Sequence, residues 1–495
     1  MTADTDHSPS FNPVSRYVPL AAWVISILVV LIIPLKIVSI GYLPGDDALR
    51  HAAKAVSGKP WSEILVLNPV YKMDHEFGWN WLLSLVHGWE NWNAEAMVVF
   101  SVVTLFLLVN IAAMVWLKRP EAWLITLLAS MILALLPGRL MLGRPYLITV
   151  SALLTVLFLW RVQRKAPPQM PALALMVALA ALCTFMHGAW YLWVLPVAAF
   201  FLAGEFRWGF ALGICWGIGV IIGAALTGHP VEYLVQALQL AFLAVGAHET
   251  QRTMASELQP FAGDRLALIG FGGLLILRSL AKLNSIPLLR DPAFWLAGIC
   301  WILGFKVGRF WDDWGWPALM VLIASDMQSF LEIRFVADSP KRLGLVLIVA
   351  LATYLAVTCD SGSRWTSSLT QQYLTVEEHP DLKDWMPDKN GIFYTVDMSL
   401  FYQTFFKNPH GDWRYMLGFE PTWMPKEDFE IYHKILWNNN VGGAYEPWVK
   451  QMTPADRLVV RSSGGPPGIP GLEWKYGVGD FWIGRLPRTN SVPSH

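Results

Sequence analysis

Two adjacent carboxylates, Asp46 and Asp47, follow the first long apolar run of the chain and are the residues best suited to chemistry. A Pro-Gly turn precedes a predicted helix. One face of this helix carries four ionisable residues at the spacing i, i+3, i+4 and i+7, namely Asp47, Arg50, His51 and Lys54. One aspartate is enough to cap that helix. The other is a candidate general base or metal ligand. The alternative interpretation is structural, with an N-cap and Arg50 as its ion-pair partner.

A second polar group lies further along the same loop, just before Gly78 and an apolar stretch that predicts an amphipathic helix on the membrane surface. It consists of Lys72, Asp74, His75 and Glu76. Carboxylates and histidine are ligand types for a divalent cation such as Mg or Mn. Consecutive residues of a helix do not all point at one ion, however, so a solvated interfacial turn is the alternative interpretation.

Cations recur at the ends of later apolar runs. Arg139 and Arg144 share a short loop and suit a lipid-linked phosphate, or they brace the loop and reach lipid headgroups. His187 ends the fifth run and is either a buried core histidine or part of the site. Arg309 precedes two aspartates, Asp312 and Asp313, and is either functional or half of a local ion pair.

The elements that position these residues are predicted to be membrane helices. Of 495 residues, 55% are hydrophobic and only 15% are charged, and the mean hydropathy is +0.42, whereas a soluble domain has roughly 25% charged residues. A span needs about 20 mostly apolar residues. Eleven candidate runs occur, at 18–40, 94–117, 121–137, 146–162, 171–187, 189–204, 208–227, 265–281, 293–308, 316–333 and 342–359.

The chain changes character after residue 359. Residues 360–495 are polar and rich in Trp, Tyr, Pro and Gly, with predicted strands at 391–397 and 456–461 and helices at 382–385 and 426–435. We therefore expect a polytopic α-helical membrane domain over 1–359, with an outer loop at 41–93, and a soluble α+β domain over 360–495. Lys and Arg are concentrated in the loops of one side, which predicts a cytoplasmic N-terminus and an extracytoplasmic C-terminal domain.

The first loop resembles that of the GT-C superfamily of membrane glycosyltransferases, in particular lipid A aminoarabinose transferases and protein O-mannosyltransferases. Their pattern is an Asp-Glu pair, a Tyr, and a lysine before a Pro-rich Gly-Tyr-Trp-Leu stretch. Here the pair is Asp46-Asp47, the ring residue is His51 and the lysine is Lys72. The chain departs from the pattern in having Asp for Glu, His for Tyr, and Met-Asp-His at 73–75 where prolines are expected.

The resemblance implies a GT-C-like fold and an inverting transfer of a sugar from a polyprenyl-phosphate donor to a glycan, lipid or protein acceptor. The reaction would take place on the outer face of a membrane, here a bacterial inner membrane serving the cell envelope. Asp46 or Asp47 would be the base, and Lys72, Arg139 and Arg144 would hold the phosphate. The comparison points to Asp46 and the helical spacing to Asp47. The sequence demands no cofactor, although Asp46 and Asp47 are compatible with a divalent cation.

Other functions receive less support. The chain has no Walker A, GxGxxG, GxSxG or HExxH motif and no CxxC pair among its four cysteines. Its 37 basic and 37 acidic residues balance, which gives no support for a nucleic-acid partner. A transporter, or a polysaccharide-handling channel or polymerase with an outer sensor domain, is the alternative. Paired charges near the midplane would favour a transporter, but here they gather at the ends of the runs.

Overall fold

The computed structural model describes residues 17–71, 73–133, 136–246, 259–261, 265–281, 283 and 286–487. Helices occupy all eleven predicted apolar runs. In chain order the helices up to residue 358 are α1 (Val18–Ser39), α2 (Asp47–Ser57), α3 (Trp61–Ile64), α4 (Phe77–Glu90), α5 (Ala94–Met114), α6 (Pro120–Leu133), α7 (Leu136–Leu140), α8 (Tyr146–Gln163), α9 (Met170–His187), α10 (Val194–Leu202), α11 (Phe206–Ala225), α12 (Pro230–Gly246), α13 (Arg265–Leu280), α14 (Pro292–Gly304), α15 (Trp316–Arg334) and α16 (Pro340–Thr358).

Six of these helices, α1, α5, α8, α9, α11 and α16, are long and apolar enough to cross a membrane. Their exposed faces fit a hydrocarbon surrounding. In α11, for example, Phe210, Ile214 and Ile221 form a stripe in which each side chain is more than half exposed. The other predicted runs hold helices that are shorter or, in the 19-residue α15, too polar to meet the same criterion, so the number of eleven spans stays a prediction.

Ion pairs between enclosed side chains join helices within the bundle. Arg342 at the start of α16 donates to Glu121 of α6 at 2.7 and 3.1 Å, and Arg278 of α13 pairs with Asp326 of α15 at 3.0 Å. Each buried charge thus has an opposite partner, without which burial would be costly.

The C-terminal part contains a five-stranded sheet in the order β2-β1-β3-β5-β4. Its strands are β1 (Ile392–Tyr394), β2 (Arg414–Tyr415), β3 (Arg457–Arg461), β4 (Glu473–Tyr476) and β5 (Phe481–Arg485), and its helices are α17 (Met398–Lys407), α18 (Lys426–Trp437) and α19 (Glu446–Gln451). β1 runs parallel to β2 and β3, whereas β5 is antiparallel to β3 and β4. The strands predicted at 391–397 and 456–461 contain β1 and β3. The helix predicted at 426–435 is α18, whereas residues 382–385 belong to a 3₁₀ turn.

The first loop is joined to this sheet. Leu65 forms a parallel bridge with Tyr415, and the Val66 amide donates to the Tyr415 carbonyl at 3.0 Å. Trp61, Ile64 and Leu65 are buried in the same apolar cluster as the aromatic residues of α17. The loop that carries the predicted site is therefore fixed between the helical bundle and the C-terminal part.

Candidate functional site

A cavity of about 340 Å³ lies where the first loop, the ends of several bundle helices and the C-terminal part meet. It collects most of the residues that the sequence singled out. The predicted residues that line it are Asp46, Asp47, Arg50, His75, Glu76, Arg144, His187 and Arg309. His51, Asp74 and Arg139 are not among its lining residues. Lys72 lies outside the described residues.

Asp46 is the N-cap of α2. Its backbone is extended, and its Oδ1 accepts the Asp47 amide at 2.6 Å. Both of its carboxylate oxygens also contact Nη2 of Arg144. The structural and the functional interpretations of Asp46 are therefore compatible, because the carboxylate that caps α2 also lines the cavity and contacts Arg144.

Arg144 reaches this position because of the glycine before it. Gly143 has a φ of +65°, which favours glycine, and a Cβ there would stand 3.0 Å from Val102 and 3.2 Å from Ala48. The loop after α7 thus passes tightly between α2 and α5. This close approach carries Arg144 to the N-terminus of α2.

Asp47 shares Arg144 and has a second cation. Its Oδ1 accepts from Nε of Arg50 at 2.8 Å, and its Oδ2 lies 3.5 Å from Nε of Arg144. Burial raises the pKa of Asp47, but Arg50 and Arg144 outweigh burial and hold that pKa below its usual value. Asp47 is therefore a carboxylate at neutral pH.

Arg50 is 1% exposed and links α2 to the second polar group. Its Nη2 donates to Glu76, and its guanidinium lies over the ring of Phe419, 3.9 Å from the centroid. Burial raises the pKa of Glu76, but Arg50 and His51 together hold it well below the usual range. Glu76 is thus a buried carboxylate whose charge is stabilised chiefly by Arg50.

His51 makes a hydrogen bond through Nδ1 and lies close to a carboxylate through Nε2. The Asn80 amide nitrogen donates to Asp74, so its oxygen faces Nδ1 of His51 at 2.7 Å. That nitrogen must therefore carry a proton. Nε2 lies 3.2 Å from the Glu76 carboxylate. His51 is therefore a neighbour of Glu76 that stands outside the cavity lining.

Asp74 and His75 diverge. Asp74 turns away from the cavity and accepts from the indole of Trp61 at 2.7 Å. His75 lines the cavity, and its Nε2 lies 4.0 Å from Glu76. Burial lowers the pKa of His75 more than the neighbouring carboxylates raise it, so the ring is neutral. Within the described ranges no three His, Cys, Asp or Glu residues are grouped to hold a metal ion, and no step below depends on one.

The opposite wall is a second ion-pair group. Arg309 donates to Asp313 at 2.9 Å, and Arg139 contacts the same carboxylate from behind. The Tyr146 hydroxyl donates to the Arg139 carbonyl at 3.0 Å. Of these two arginines, Arg309 lines the cavity and Arg139 does not. His187 lines the floor, with its Nδ1 3.3 Å from the hydroxyl of Thr149.

The cavity lining also includes apolar side chains. Those from the helical bundle and its loops are Val150, Ala189, Leu192, Ala237, Ala241, Val307, Phe310 and Trp314. Ala237 and Ala241 lie one turn apart on α12, the helix whose other side exposes Val231, Val235 and Phe242. One face of α12 thus lines the cavity while another presents large apolar side chains outward.

The sequence did not reveal the wall contributed by the C-terminal part. Met398, Tyr402, Phe419, Glu420 and Thr422 line the cavity beside α2. They lie more than 300 positions from Asp47 in the chain, and no local motif marks them. Only the fold brings the two segments together.

No family model and no curated protein matches the chain. Among solved structures it is similar to the arabinofuranosyltransferase AftD from mycobacteria, with a TM-score of 0.48 and 15% sequence identity, over 95% of this chain and 40% of that one. The chain thus spans less than half the length of that protein.

Proposed function

We propose that the chain is a membrane glycosyltransferase that moves a sugar from a polyprenyl-phosphate donor to an acceptor hydroxyl. One observation carries the proposal: the lining of one cavity combines a carboxylate–arginine cluster with apolar side chains. A lipid-linked sugar phosphate needs both environments, because its head is anionic and its tail is hydrocarbon. Six of the described helices are long and apolar enough to cross a membrane, which supports a lipid-anchored substrate.

The reaction follows from the groups in the cavity. The acceptor oxygen attacks the anomeric carbon, the bond from that carbon to the phosphate oxygen breaks, and polyprenyl phosphate leaves with the bonding electrons. An aspartate takes the proton of the acceptor hydroxyl. Attack opposite the leaving group inverts the anomeric configuration. Negative charge grows on the departing phosphate, which Arg144 and Arg309 are positioned to stabilise from two walls.

Arg144 connects donor binding to the base. Before the donor binds, its guanidinium is held by Asp46 and lies close to Asp47. A donor phosphate would compete with these carboxylates for the same cation. Asp47 keeps its ion pair with Arg50 when Arg144 turns to the phosphate. We therefore expect Asp46 to gain more basicity, and we favour Asp46 as the base.

The test compares lipid extracts of a deletion strain and its parent by mass spectrometry. Loss of the enzyme should cause a glycosylated polyprenyl phosphate to accumulate, and the wild-type gene should reverse this. Complementation with Asp46→Asn should not reverse it. Asp388→Asn is the matched control, since its carboxylate is 68% exposed and lies outside the cavity lining. Unchanged lipid-linked sugars in the deletion strain would contradict the proposed function.

A further inference from the structure

His187 is enclosed at the end of α9 and faces the cavity. It is 8% exposed and belongs to the cavity lining. Gly188 follows it with a φ of +70°, and a Cβ at Gly188 would collide with the carbonyl oxygen of His75. The chain therefore turns tightly against the first loop directly after His187. This close packing fixes the backbone from which the imidazole projects.

One nitrogen of the His187 ring is held and the other is open. Nδ1 lies 3.3 Å from the Thr149 hydroxyl, and the ring packs beside that of Tyr146, with 6.4 Å between the centroids. Nε2 has no hydrogen-bond or ion-pair partner among the residues that the structure describes, yet it is not sealed inside the protein. A side chain that is more than nine-tenths buried thus presents one polar atom to the cavity.

The surroundings of His187 favour the neutral ring. Two carboxylates, Glu76 and Asp313, line the same cavity, but each is paired with an arginine, Glu76 with Arg50 and Asp313 with Arg309. An enclosed imidazole without an ion-pair partner does not hold a second proton at neutral pH. One ring nitrogen of His187 therefore donates a hydrogen bond and the other accepts one.

A hydroxyl is the ligand group best matched to Nε2. Because a hydroxyl both donates and accepts, it pairs with this nitrogen in either tautomer of the ring. Phosphate oxygens are bound more strongly by arginine, and the same cavity offers Arg144 and Arg309. Thr149 lies on the first turn of α8, which begins two residues after Arg144. His187 is thus bonded to the same end of α8 that follows Arg144.

We propose that His187 binds a hydroxyl of the sugar that is transferred. This inference rests on the proposed function, which it deepens by naming a residue that binds the sugar of the donor rather than its phosphate. Thr149 orients the ring through Nδ1, and Nε2 holds the sugar hydroxyl. The phosphate stays with the arginines.

The experiment measures binding by purified full-length protein in lipid nanodiscs. The sugar-bearing probes are farnesyl phosphates esterified with mannose, glucose or arabinose. Their reference is farnesyl methyl phosphate, a diester of the same charge that carries no sugar. Farnesyl phosphate tests whether the protein binds a prenyl phosphate at all. Wild type should bind farnesyl phosphate, and at least one sugar-bearing probe more tightly than farnesyl methyl phosphate.

Two substitutions separate the nitrogens of the ring. The amide of Asn replaces Nδ1 but does not reach the place of Nε2, whereas the longer Gln brings its amide close to that place. His187→Asn should therefore weaken binding of the sugar-bearing probe about 5- to 10-fold, the usual cost of one lost hydrogen bond, and leave binding of farnesyl methyl phosphate unchanged. His187→Gln should restore most of the lost affinity.

His87→Asn is the matched control. His87 also lies near the end of a helix, α4, its Nδ1 is 2.8 Å from the Trp92 carbonyl oxygen, and it is absent from the cavity lining. It should bind every probe as wild type does.

Four results would overturn the role of His187 in sugar binding. They are no gain in affinity from any of the three sugars in wild type, wild-type sugar binding by His187→Asn, an equal loss with farnesyl methyl phosphate, and an equal loss in His187→Gln. Failure of wild type to bind farnesyl phosphate would instead count against the proposed donor.

Discussion

Arg144 is held by the carboxylates that the proposed reaction needs, and this arrangement makes a counterintuitive prediction. Asn caps a helix about as well as Asp, so Asp46→Asn keeps α2 in place while removing the charge that holds Arg144. We expect farnesyl phosphate to bind about 5- to 10-fold more tightly, while kcat falls about 100-fold or more because the base is gone. Binding in nanodiscs and transfer assays measure the two effects.

Asp388→Asn again serves as the control and should change neither quantity. Weaker or unchanged binding of farnesyl phosphate by Asp46→Asn would show that Asp46 does not compete with phosphate for Arg144. A normal kcat in the same variant would show that Asp46 is not the base. Asp47 would then be the candidate base.

Arg50 balances the charge of two enclosed carboxylates, Asp47 and Glu76. Its replacement should therefore invert the way in which the stability of the fold depends on pH. In wild type both carboxylates have lowered pKa values in the fold. Their ionised forms therefore stabilise the protein above their unfolded-state pKa values, and this stability is lost as pH falls through the folded-state values. In Arg50→Met burial should dominate and raise the pKa of Glu76, so protonation becomes favourable on folding.

We expect Arg50→Met to lose about 3–5 kcal/mol near neutral pH, and to regain part of it as pH falls from about 7 to 5. The melting temperature in detergent, measured against pH, gives both values. Arg461→Met is the control, because Arg461 is half exposed and forms a surface pair with Asp397. It should change stability by less than about 1 kcal/mol at either pH.

At the scale of elements, the sequence predicted those helices and strands whose residues repeat at a regular local spacing. The helix from Asp47 was confirmed because its face repeats at helical spacing, and Gly78 does enter an amphipathic helix, α4. Spacing could not tell which arginine near residue 140 faces the cavity. The direction that Arg144 takes is set by the loop conformation at Gly143, and this conformation depends on packing against α2 and α5. Local spacing around Arg139 and Arg144 does not record that packing.

That loop gives a prediction with an internal control. Gly143 and Gly228 both have positive φ, but a Cβ at Gly143 meets Val102 and Ala48, whereas a Cβ at Gly228 meets nothing within 4 Å. Alanine at either position should cost about 1–3 kcal/mol of backbone strain. Only Gly143→Ala should also displace Arg144 and weaken farnesyl phosphate binding. Equal binding by the two variants would show that the approach of the loop to α2 does not position Arg144.

At the scale of the whole molecule, the site depends on contacts between distant parts of the chain. The sequence indicated a helical membrane part and a separate α+β tail, and β1, β3 and α18 were found where the tail predicted them. It gave no sign that Tyr402 would meet Asp47, because no short-range pattern records a contact between segments so far apart. The cavity wall from the C-terminal part could therefore be recognised only in the folded chain.

The cavity also constrains the membrane topology. Asp46, Arg144, His187, Arg309 and Tyr402 line one cavity, so the segments that carry them must lie on the same side of the membrane. The eleven predicted spans satisfy this condition, since they place an even number of crossings between any two of these residues. With the N-terminus in the cytoplasm, the cavity and the C-terminal part lie outside.

Native Cys359 allows a direct test of this topology. It is exposed just after α16, whereas the other three cysteines are buried. A membrane-impermeant maleimide should label Cys359 in intact spheroplasts, and Cys359→Ser should abolish the signal. In that background Asp338→Cys, an exposed position at the opposite end of α16, should react only after permeabilisation. The reverse pattern would place the C-terminal part in the cytoplasm, and the donor and acceptor would then have to be sought on that side.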